Sequence, residues 1–190
     1  MAVSAERILS HLNTMQKSAL LLFDSGDQSP INGLTSYQKQ LFFIANYDQN
    51  VGDEADFEPY YYGPFSQPAE TALEGLISYG LVENSGGKNY YSLTELGKEL
   101  VSSLKVNPEF DLEQIEEVKD LFSGMTENEL ILFTYVLHPE YTTESKIKSD
   151  VLAKRVALAS ALYRKDKVGL EMAAYLADLS MEEFLDRLRR

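Results

Sequence analysis

The sequence predicts a mostly α-helical fold with one β-hairpin, in which a winged helix-turn-helix is followed by an all-helical C-terminal region ending in a helix-turn-helix. Apolar residues recur at spacings of three and four through most of the chain, the pattern of one buried helix face. Two strand-like runs flank a loop at residues 84–88 that contains Gly86 and Gly87. The order helix, helix, helix, hairpin, helix is that of a winged helix-turn-helix. We therefore expect a winged-helix domain over residues 1–107 and a helical domain over 108–190.

The first two helices are predicted over residues 4–24 and from Thr35 onward, with a polar loop between them. Residues 49–58 are acidic and contain one Gly, so we expect a second loop there. An aromatic stretch then covers residues 57–65 and ends in a Gly-Pro turn.

The third helix, the hairpin and the fourth helix complete the predicted winged-helix domain. Ser66 is a favourable N-cap, and Gly80 ends the third helix because glycine readily adopts the left-handed conformation of a C-cap. Residues 81–83 and 89–93 are strand-like. The next helix follows from Thr94.

The second half of the chain shows only helical patterns. Asp111 is the N-cap of one helix, and Thr126 with Glu129 forms a capping box that opens another. The remaining helices are predicted over residues 143–165, over residues 170–179 and from Ser180, which forms a second capping box with Glu183.

The composition excludes several classes of protein. The chain of 190 residues has no Cys, so disulfide scaffolds, Cys-ligated metal sites and thiol nucleophiles are excluded. Its longest apolar runs, residues 19–23 and 130–137, are far shorter than the roughly 20 residues of a membrane-spanning helix. The N-terminus lacks the basic and apolar regions of a signal peptide. We expect a cytoplasmic protein with no membrane partner.

The formal net charge of −13 is unevenly distributed along the chain. Residues 1–139 hold 7 basic and 21 acidic side chains, whereas residues 140–190 hold 10 basic and 9 acidic ones. Lys and Arg supply most nucleic-acid affinity by neutralising phosphates. The nominal recognition helix over residues 66–79 contains neither. The best candidate surface for DNA is therefore the C-terminal region.

Three short motifs in the first half of the chain resemble motifs of a known family. They are PINGLTSYQKQLF at residues 30–42, YYYGPFS at 60–66 and LTELG at 93–97. Together they resemble the prokaryotic winged-helix family of YwgA-like proteins and, more distantly, SocA-type (Panacea) antitoxins. The resemblance covers residues 20–105 and, more loosely, 126–147. It implies a winged-helix fold.

The C-terminus resembles a second family. Residues 161–185 are similar to short prokaryotic helix-turn-helix proteins, some of them proposed antitoxins, whose signature is AAxxAGLSxxEFL. Ala173, Ala174 and Ala177 match it, and small side chains there let two helices cross closely. Asp178 stands in place of the usual Gly, and Asp tolerates the left-handed region better than most residues.

Two groups of residues are candidates for binding. Basic residues that could contact DNA phosphates, or else form a solvated face paired with nearby carboxylates, are Lys88, Arg155, Arg164, Lys165, Lys167, Arg187, Arg189 and Arg190. Residues that could contact a protein partner are Gln38, Lys39, Tyr60, Tyr61, Tyr62, Gln67 and Thr71. For the tyrosines, base stacking and packing within the fold are the alternatives.

No motif of an enzyme, phosphate loop, metal site or cofactor site occurs in the sequence, so we expect no catalytic residue, metal or cofactor. The sequence thus predicts a prokaryotic transcription regulator or antitoxin-type protein. It would bind DNA, if at all, through the C-terminal basic residues and a protein partner through the acidic winged-helix part. The alternative is a protein-binding adaptor that does not bind DNA. A homodimer through the helices between residues 111 and 165 is also expected, because those helices carry more apolar faces than a linker needs.

Overall fold

Helices dominate the computed structural model, which describes residues 5–26, 28–85 and 89–189. Two compact units are present. The first comprises Met1–Phe57 and Ser66–Ser123, and the second comprises Glu58–Phe65 and Gly124–Arg190. Residues 108–123 thus pack in the first unit. Packing in one compact unit does not show that a segment folds independently with that unit. The predicted domain boundary after residue 107 therefore stays a prediction.

The first unit contains seven helices and a three-stranded sheet within the described residues. Its helices are α1 (Ala5–Leu9), α2 (Thr14–Asp24), α3 (Gly33–Ala45), α4 (Gln49–Ala55), α5 (Gln67–Ser78), α6 (Glu95–Leu104) and α7 (Leu112–Phe122), and its strands are β1 (Ile31–Asn32), β4 (Val82–Ser85) and β5 (Tyr90–Leu93). The core of the unit is centred on α2, which is buried on all sides from Ala19 to Phe23.

The second unit contains a short hairpin and five α-helices within the described residues. They are β2 (Glu58–Tyr60), β3 (Gly63–Phe65), α8 (Glu127–Leu137), α9 (Lys148–Ala153), α10 (Arg155–Arg164), α11 (Leu170–Ala177) and α12 (Met181–Leu188), with a 3₁₀ helix at Pro139–Thr142. In the part of the chain that the structure describes, no helix is long and apolar enough to cross a membrane.

The single helix predicted over residues 4–24 is wrong. Asn13 interrupts it with an extended backbone, and its side chain accepts a hydrogen bond from the Gln16 N–H. The Gln16 side chain accepts one in return from the Asn13 N–H, which completes a capping box. Asn13 therefore starts α2 as a separate helix.

The acidic loop predicted over residues 49–58 is also wrong, because residues 49–55 form α4. The Asp48 side chain caps this helix by accepting hydrogen bonds from the N–H groups of Asn50 and Val51. The Glu54 carboxylate accepts hydrogen bonds from the first N–H groups of α2, at 2.7 Å from Met15 N. A carboxylate at a helix N-terminus is stabilising, so acidity here serves local structure.

The hairpin predicted between residues 81 and 93 is confirmed, and β1 extends it. Strands β4 and β5 pair antiparallel with Val82 opposite Leu93, and β1 pairs with β5 with Ile31 opposite Tyr91. Helix α6 packs so closely against the start of this hairpin that a Cβ on Gly97 would overlap the Leu81 carbonyl oxygen.

The predicted caps at Ser66 and Asp111 are confirmed, since each side chain accepts a hydrogen bond from a backbone N–H in the first turn of α5 and α7. Thr94, from which the sequence predicts the next helix, caps α6 in the same way. Gly80 ends α5 in the left-handed conformation, at φ +69°.

The long helix predicted over residues 143–165 is wrong, because it is two helices, α9 and α10, joined at Lys154. Lys154 has φ −102° and ψ 6°, and its N–H donates to the Val151 carbonyl three residues earlier. This tighter 3₁₀-type turn separates α9 from α10.

The C-terminal capping boxes and turn are confirmed. Thr126 with Glu129 and Ser180 with Glu183 form the boxes that open α8 and α12. Asp178 ends α11 at φ 60° and ψ 44°, in the left-handed region, as expected for the residue at the usual Gly position.

Candidate functional site

Three consecutive exposed tyrosines lie in the β2–β3 hairpin of the second unit. The side chains of Tyr60, Tyr61 and Tyr62 are 40%, 39% and 47% exposed. The hairpin is short, with Tyr60 opposite Gly63 and with Tyr61 and Tyr62 forming its turn. We call these three residues the tyrosine surface.

The rings of Tyr60 and Tyr61 are held in place by stacking. The ring centroid of Tyr60 lies 4.3 Å from that of Tyr61 and 4.9 Å from that of Phe65. The Lys146 ammonium lies 3.3 Å from the Tyr61 ring centroid, in cation–π geometry. The Tyr60 ring and the Lys146 ammonium are both too close to the Tyr61 ring to lie on the same side of it. They therefore cover opposite faces of Tyr61. Its edge and hydroxyl are the parts that reach solvent.

The segment that carries Lys146 is itself fixed. The Lys146 N–H donates to the Tyr61 carbonyl at 3.1 Å. The neighbouring Ser145 hydroxyl lies 2.7 Å from the hydroxyl of Tyr135 on the buried helix α8. Burial raises the pKa of Tyr135, the hydrogen bond with Ser145 lowers it and nearby Tyr62 raises it, so that the net shift is upward. The phenol of Tyr135 therefore remains protonated at neutral pH.

The tyrosine surface has the chemistry of a protein contact. It offers exposed phenol groups, two of them on the ordered rings of Tyr60 and Tyr61, and tyrosine is enriched at protein interfaces. Base stacking, the other use considered for these rings, needs an uncovered face. A base could stack on Tyr61 only after displacing Tyr60 or Lys146.

Two of the other predicted partner-binding residues are buried. Gln38 is 2% exposed, and its side-chain amide bonds both backbone groups of Ser66, at 2.8 and 3.0 Å. Lys39 is equally buried. The assignment of both to partner binding stays a prediction, without an exposed side chain to support it.

Gln67 and Thr71 are exposed on α5 in the first unit. The same helix carries the exposed Glu74 and the half-buried Glu70. Burial raises the pKa of Tyr91 on β5, and the negative charge of Glu70 raises it further. This helix therefore presents acidic rather than basic side chains near the hairpin.

Two of the predicted DNA-binding residues are engaged within the fold. The Arg155 guanidinium donates to the carbonyls of Leu176 and Tyr175, at 2.7 and 3.3 Å, and lies 3.1 Å from the Asp178 carboxylate. It thus caps the C-terminus of α11, where carbonyls lack helical partners.

Lys165 is the second engaged residue. Its ammonium lies 2.7 Å from the carboxylate of Glu129, a side chain that is 4% exposed, and also donates to the Gly124 carbonyl. Burial alone would raise the pKa of Glu129, but hydrogen bonds from Lys165 and Thr126 hold that pKa below its usual value. Lys165 therefore stabilises the buried charge that caps α8.

The remaining predicted DNA-binding residues are placed differently. Arg164, Arg187 and Arg189 are exposed, and Arg189 lies 3.3 Å from the Asp186 carboxylate. Lys167 is half-buried. Lys88 and Arg190 lie outside the described residues.

Sequence reasoning missed Lys146 altogether, and it missed the contacts that Arg155 makes within the fold. Lys146 contacts a ring far away in sequence, and Arg155 reaches across to carbonyls of another helix. No short motif marks either contact, because only packing brings the partners together.

Among the residues that the structure describes, no group of three or more His, Asp or Glu side chains could hold a metal ion. The expected absence of a metal, a cofactor and a catalytic residue stays a prediction. Comparison with models of known protein families and with curated proteins found no match to this chain.

Proposed function

We propose that this chain is a prokaryotic regulatory protein, of the transcription-regulator or antitoxin type, that acts by binding a protein partner through the tyrosine surface. The tyrosine surface is the observation that carries the proposal. All three rings are large and exposed, and those of Tyr60 and Tyr61 are already ordered by Phe65 and Lys146. Because little side-chain freedom remains to be lost, binding costs less entropy than at a flexible surface.

The regulator type is supported by element order and by resemblance. Helices α3, α4 and α5, the β4–β5 hairpin and helix α6 occur in the order of a winged helix-turn-helix, with the β2–β3 hairpin between α4 and α5. The motifs at residues 30–42, 60–66 and 93–97 resemble those of YwgA-like proteins and SocA-type antitoxins. We further propose that the protein is cytoplasmic.

DNA binding receives less support than protein binding. Arg155 and Lys165 make intramolecular contacts, and helix α5 carries Glu70 and Glu74 without any Lys or Arg. Phosphate neutralisation would depend on Arg164, Lys167, Arg187 and Arg189.

Site-specific photocrosslinking tests the tyrosine surface directly. A photoreactive phenylalanine analogue replaces Tyr62 in the source organism, and the crosslinked protein is identified and purified. We expect a discrete crosslinked partner at this position. The matched control replaces Tyr47, an exposed tyrosine of the first unit that lies outside the tyrosine surface. Equal crosslinking at both positions would contradict the proposal.

Binding of the purified partner supplies the quantitative test. Tyr60→Ala and Tyr62→Ala should each raise the Kd at least tenfold, about 1.4 kcal/mol, as expected for interface tyrosines. Tyr47→Ala should leave the Kd unchanged. Because all three side chains are exposed, their loss should not prevent folding.

Titration with duplex DNA at about 50 mM salt tests the other half of the predicted function, since phosphate contacts are strongest at low salt. We expect no binding. If binding is observed and Arg187→Ala with Arg189→Ala flattens its salt dependence, the C-terminal basic residues are a DNA site. Light scattering on the same sample tests the predicted homodimer.

A further inference from the structure

Tyr135 on α8 is a buried tyrosine that the proposed function does not use. Its side chain is 3% exposed, so a partner protein has no access to it. Its hydroxyl lies 2.7 Å from the Ser145 hydroxyl. A buried phenol held by one hydrogen bond is ordinarily a packing residue. In this protein, however, the residues that follow that hydrogen bond lead to the tyrosine surface.

The segment of residues 142–147 joins Tyr135 to Tyr61. Ser145 Oγ, which contacts the Tyr135 hydroxyl, also accepts a hydrogen bond from the Ile147 N–H at 3.3 Å. Lys146 lies between these two residues. Its N–H donates to the Tyr61 carbonyl at 3.1 Å, and its ammonium lies 3.3 Å from the Tyr61 ring centroid. The main chain and the side-chain end of Lys146 are therefore both held against Tyr61.

Two further observations place Tyr135 close to the tyrosine surface. The negative charge that Tyr62 acquires on ionisation raises the pKa of Tyr135. Because Coulomb interactions weaken with distance, the two phenols must lie near each other. Helix α8 and both strands of the β2–β3 hairpin also pack against the 3₁₀ helix at Pro139–Thr142. Tyr135 is thus near one member of the tyrosine surface and linked by hydrogen bonds to another.

We propose that Tyr135 is a positioning residue of the tyrosine surface. Its hydroxyl fixes the segment of residues 142–147, and the Lys146 ammonium on that segment holds the ring of Tyr61. This inference rests on the proposed function and adds to it a residue that the partner does not touch. A ring that is held before binding loses less freedom on binding. Loss of the Tyr135 hydroxyl therefore weakens binding although every contact with the partner remains possible.

Tyr135→Phe, which removes only the hydroxyl, tests this inference with the partner that is captured by crosslinking at Tyr62. The Kd should rise about threefold, the size expected for one exposed cation–π contact. Ser145→Ala breaks the same hydrogen bond from its other side and should have the same effect. Two variants are used so that a folding defect in one leaves the other to decide.

Tyr37→Phe is the matched control for the loss of a buried tyrosine hydroxyl. Tyr37 is fully buried in the first unit, and its hydroxyl donates to the Ala69 carbonyl at 3.2 Å. Tyr37→Phe should lower the melting temperature and leave the Kd unchanged. An effect of Tyr135→Phe that came from lower stability alone would appear in this control as well.

A double variant tests whether Tyr135 acts through Lys146. Lys146→Met should raise the Kd about threefold, because it removes the charge over the Tyr61 ring. Adding Tyr135→Phe to Lys146→Met should raise it no further, whereas independent effects would multiply to about ninefold. Lys146→Arg keeps a cation over the ring and should bind as the unchanged protein does.

NMR spectroscopy of the free protein supplies a measurement that needs no partner. The ring current of Tyr61 should shift the ε-methylene protons of Lys146 upfield, because the ammonium lies over the ring. Tyr135→Phe should return these signals toward those of the exposed Lys148. Tyr37→Phe should leave them where they are.

Four results would overturn the inference. They are unchanged Lys146 signals in Tyr135→Phe, an unchanged Kd in Tyr135→Phe, an equal loss of affinity in Tyr37→Phe, and multiplied effects in the double variant. The proposed function fails separately, if crosslinking at Tyr62 captures no partner or if Tyr60→Ala leaves the Kd unchanged. In that case the NMR comparison still decides whether the Tyr135 hydroxyl positions the tyrosine ring.

Discussion

The side-chain amide of Gln38 bonds both backbone groups of Ser66. Gln38 Nε2 donates to the Ser66 carbonyl at 2.8 Å, and the Ser66 N–H donates to Gln38 Oε1 at 3.0 Å. The Ser66 hydroxyl also donates to the Ala55 carbonyl and accepts from the Ala69 N–H. Helix α3 thereby fixes the residue at which the chain returns from the β2–β3 hairpin and starts α5.

Gln38→Ala should lower the free energy of unfolding by about 3 kcal/mol, because two buried backbone groups lose their partners. Urea denaturation followed by circular dichroism measures this. Gln67→Ala, which removes an exposed glutamine from α5, should change stability by less than about 0.5 kcal/mol. A small effect of Gln38→Ala would mean that water replaces the amide.

Gly97→Ala should destabilise the first unit by about 3 kcal/mol, because the new Cβ would overlap the Leu81 carbonyl oxygen and force α6 away from the sheet. Gly75→Ala is the control, and its effect on stability should be in the opposite direction. Its Cβ would meet only the flexible end of Gln16, so higher helix propensity should stabilise the protein by about 0.5 kcal/mol. Equal effects in thermal melts would contradict the close approach at Gly97.

Lys165→Met should cost about 2 kcal/mol, because it leaves the Glu129 carboxylate buried without its cation. The cost is below that of a fully buried pair, since Lys165 is 37% exposed and partly screened. Lys148→Met, an exposed lysine on α9, is the matched control and should have little effect.

The pH dependence of stability should also report on this ion pair. The folded state lowers the pKa of Glu129 below its ordinary value of 4.5, so the ionised carboxylate is favoured by folding. That contribution is present above the unfolded pKa and is lost as the pH falls below 4.5 through the folded value. Lys165→Met should reduce the acid dependence in urea titrations between neutral pH and pH 3, and an identical acid dependence in the variant would contradict the assignment.

Asp178→Val should lower stability by about 2 kcal/mol, because a β-branched residue is strained at φ 60°. Asp178→Asn should change stability by less than about 0.5 kcal/mol, since Asn tolerates the left-handed region and the Asp178 side chain is 80% exposed, so that solvent screens its ion pair with Arg155. Equal losses in the two variants would show that the charge, not the backbone conformation, matters at this turn.

Much of the fold could be predicted from the sequence because its signals are local. N-caps, capping boxes and left-handed C-caps depend on residues within one helical turn, and those at Ser66, Thr126 and Ser180 are confirmed. The wrong secondary-structure predictions arose where a local sequence pattern was compatible with two structures. Asn13 interrupts an apolar periodicity that continues past it, and an acidic segment became α4 because Asp48 and Glu54 use their charges at helix N-termini.

The candidate sites were less predictable. The sequence suggested Tyr60, Tyr61 and Tyr62 as contact residues, and the structure shows that their side chains are exposed. It also suggested Gln38 and Arg155, whose side chains bond backbone groups distant in sequence. A polar or basic side chain looks the same in a sequence whether it faces solvent or completes a buried hydrogen bond.

The sequence by itself determined the helical character, the β4–β5 hairpin, the positions of most helix ends and the uneven charge. These properties follow from propensity, periodicity and composition, which need no distant partner. Only the tertiary structure decided which charged and aromatic side chains are available for binding. It covered both faces of Tyr61 with Tyr60 and Lys146, used Lys165 to neutralise Glu129, and left Tyr175 and Met181 exposed. Those outcomes depend on contacts between residues far apart in the chain, which local sequence patterns do not encode.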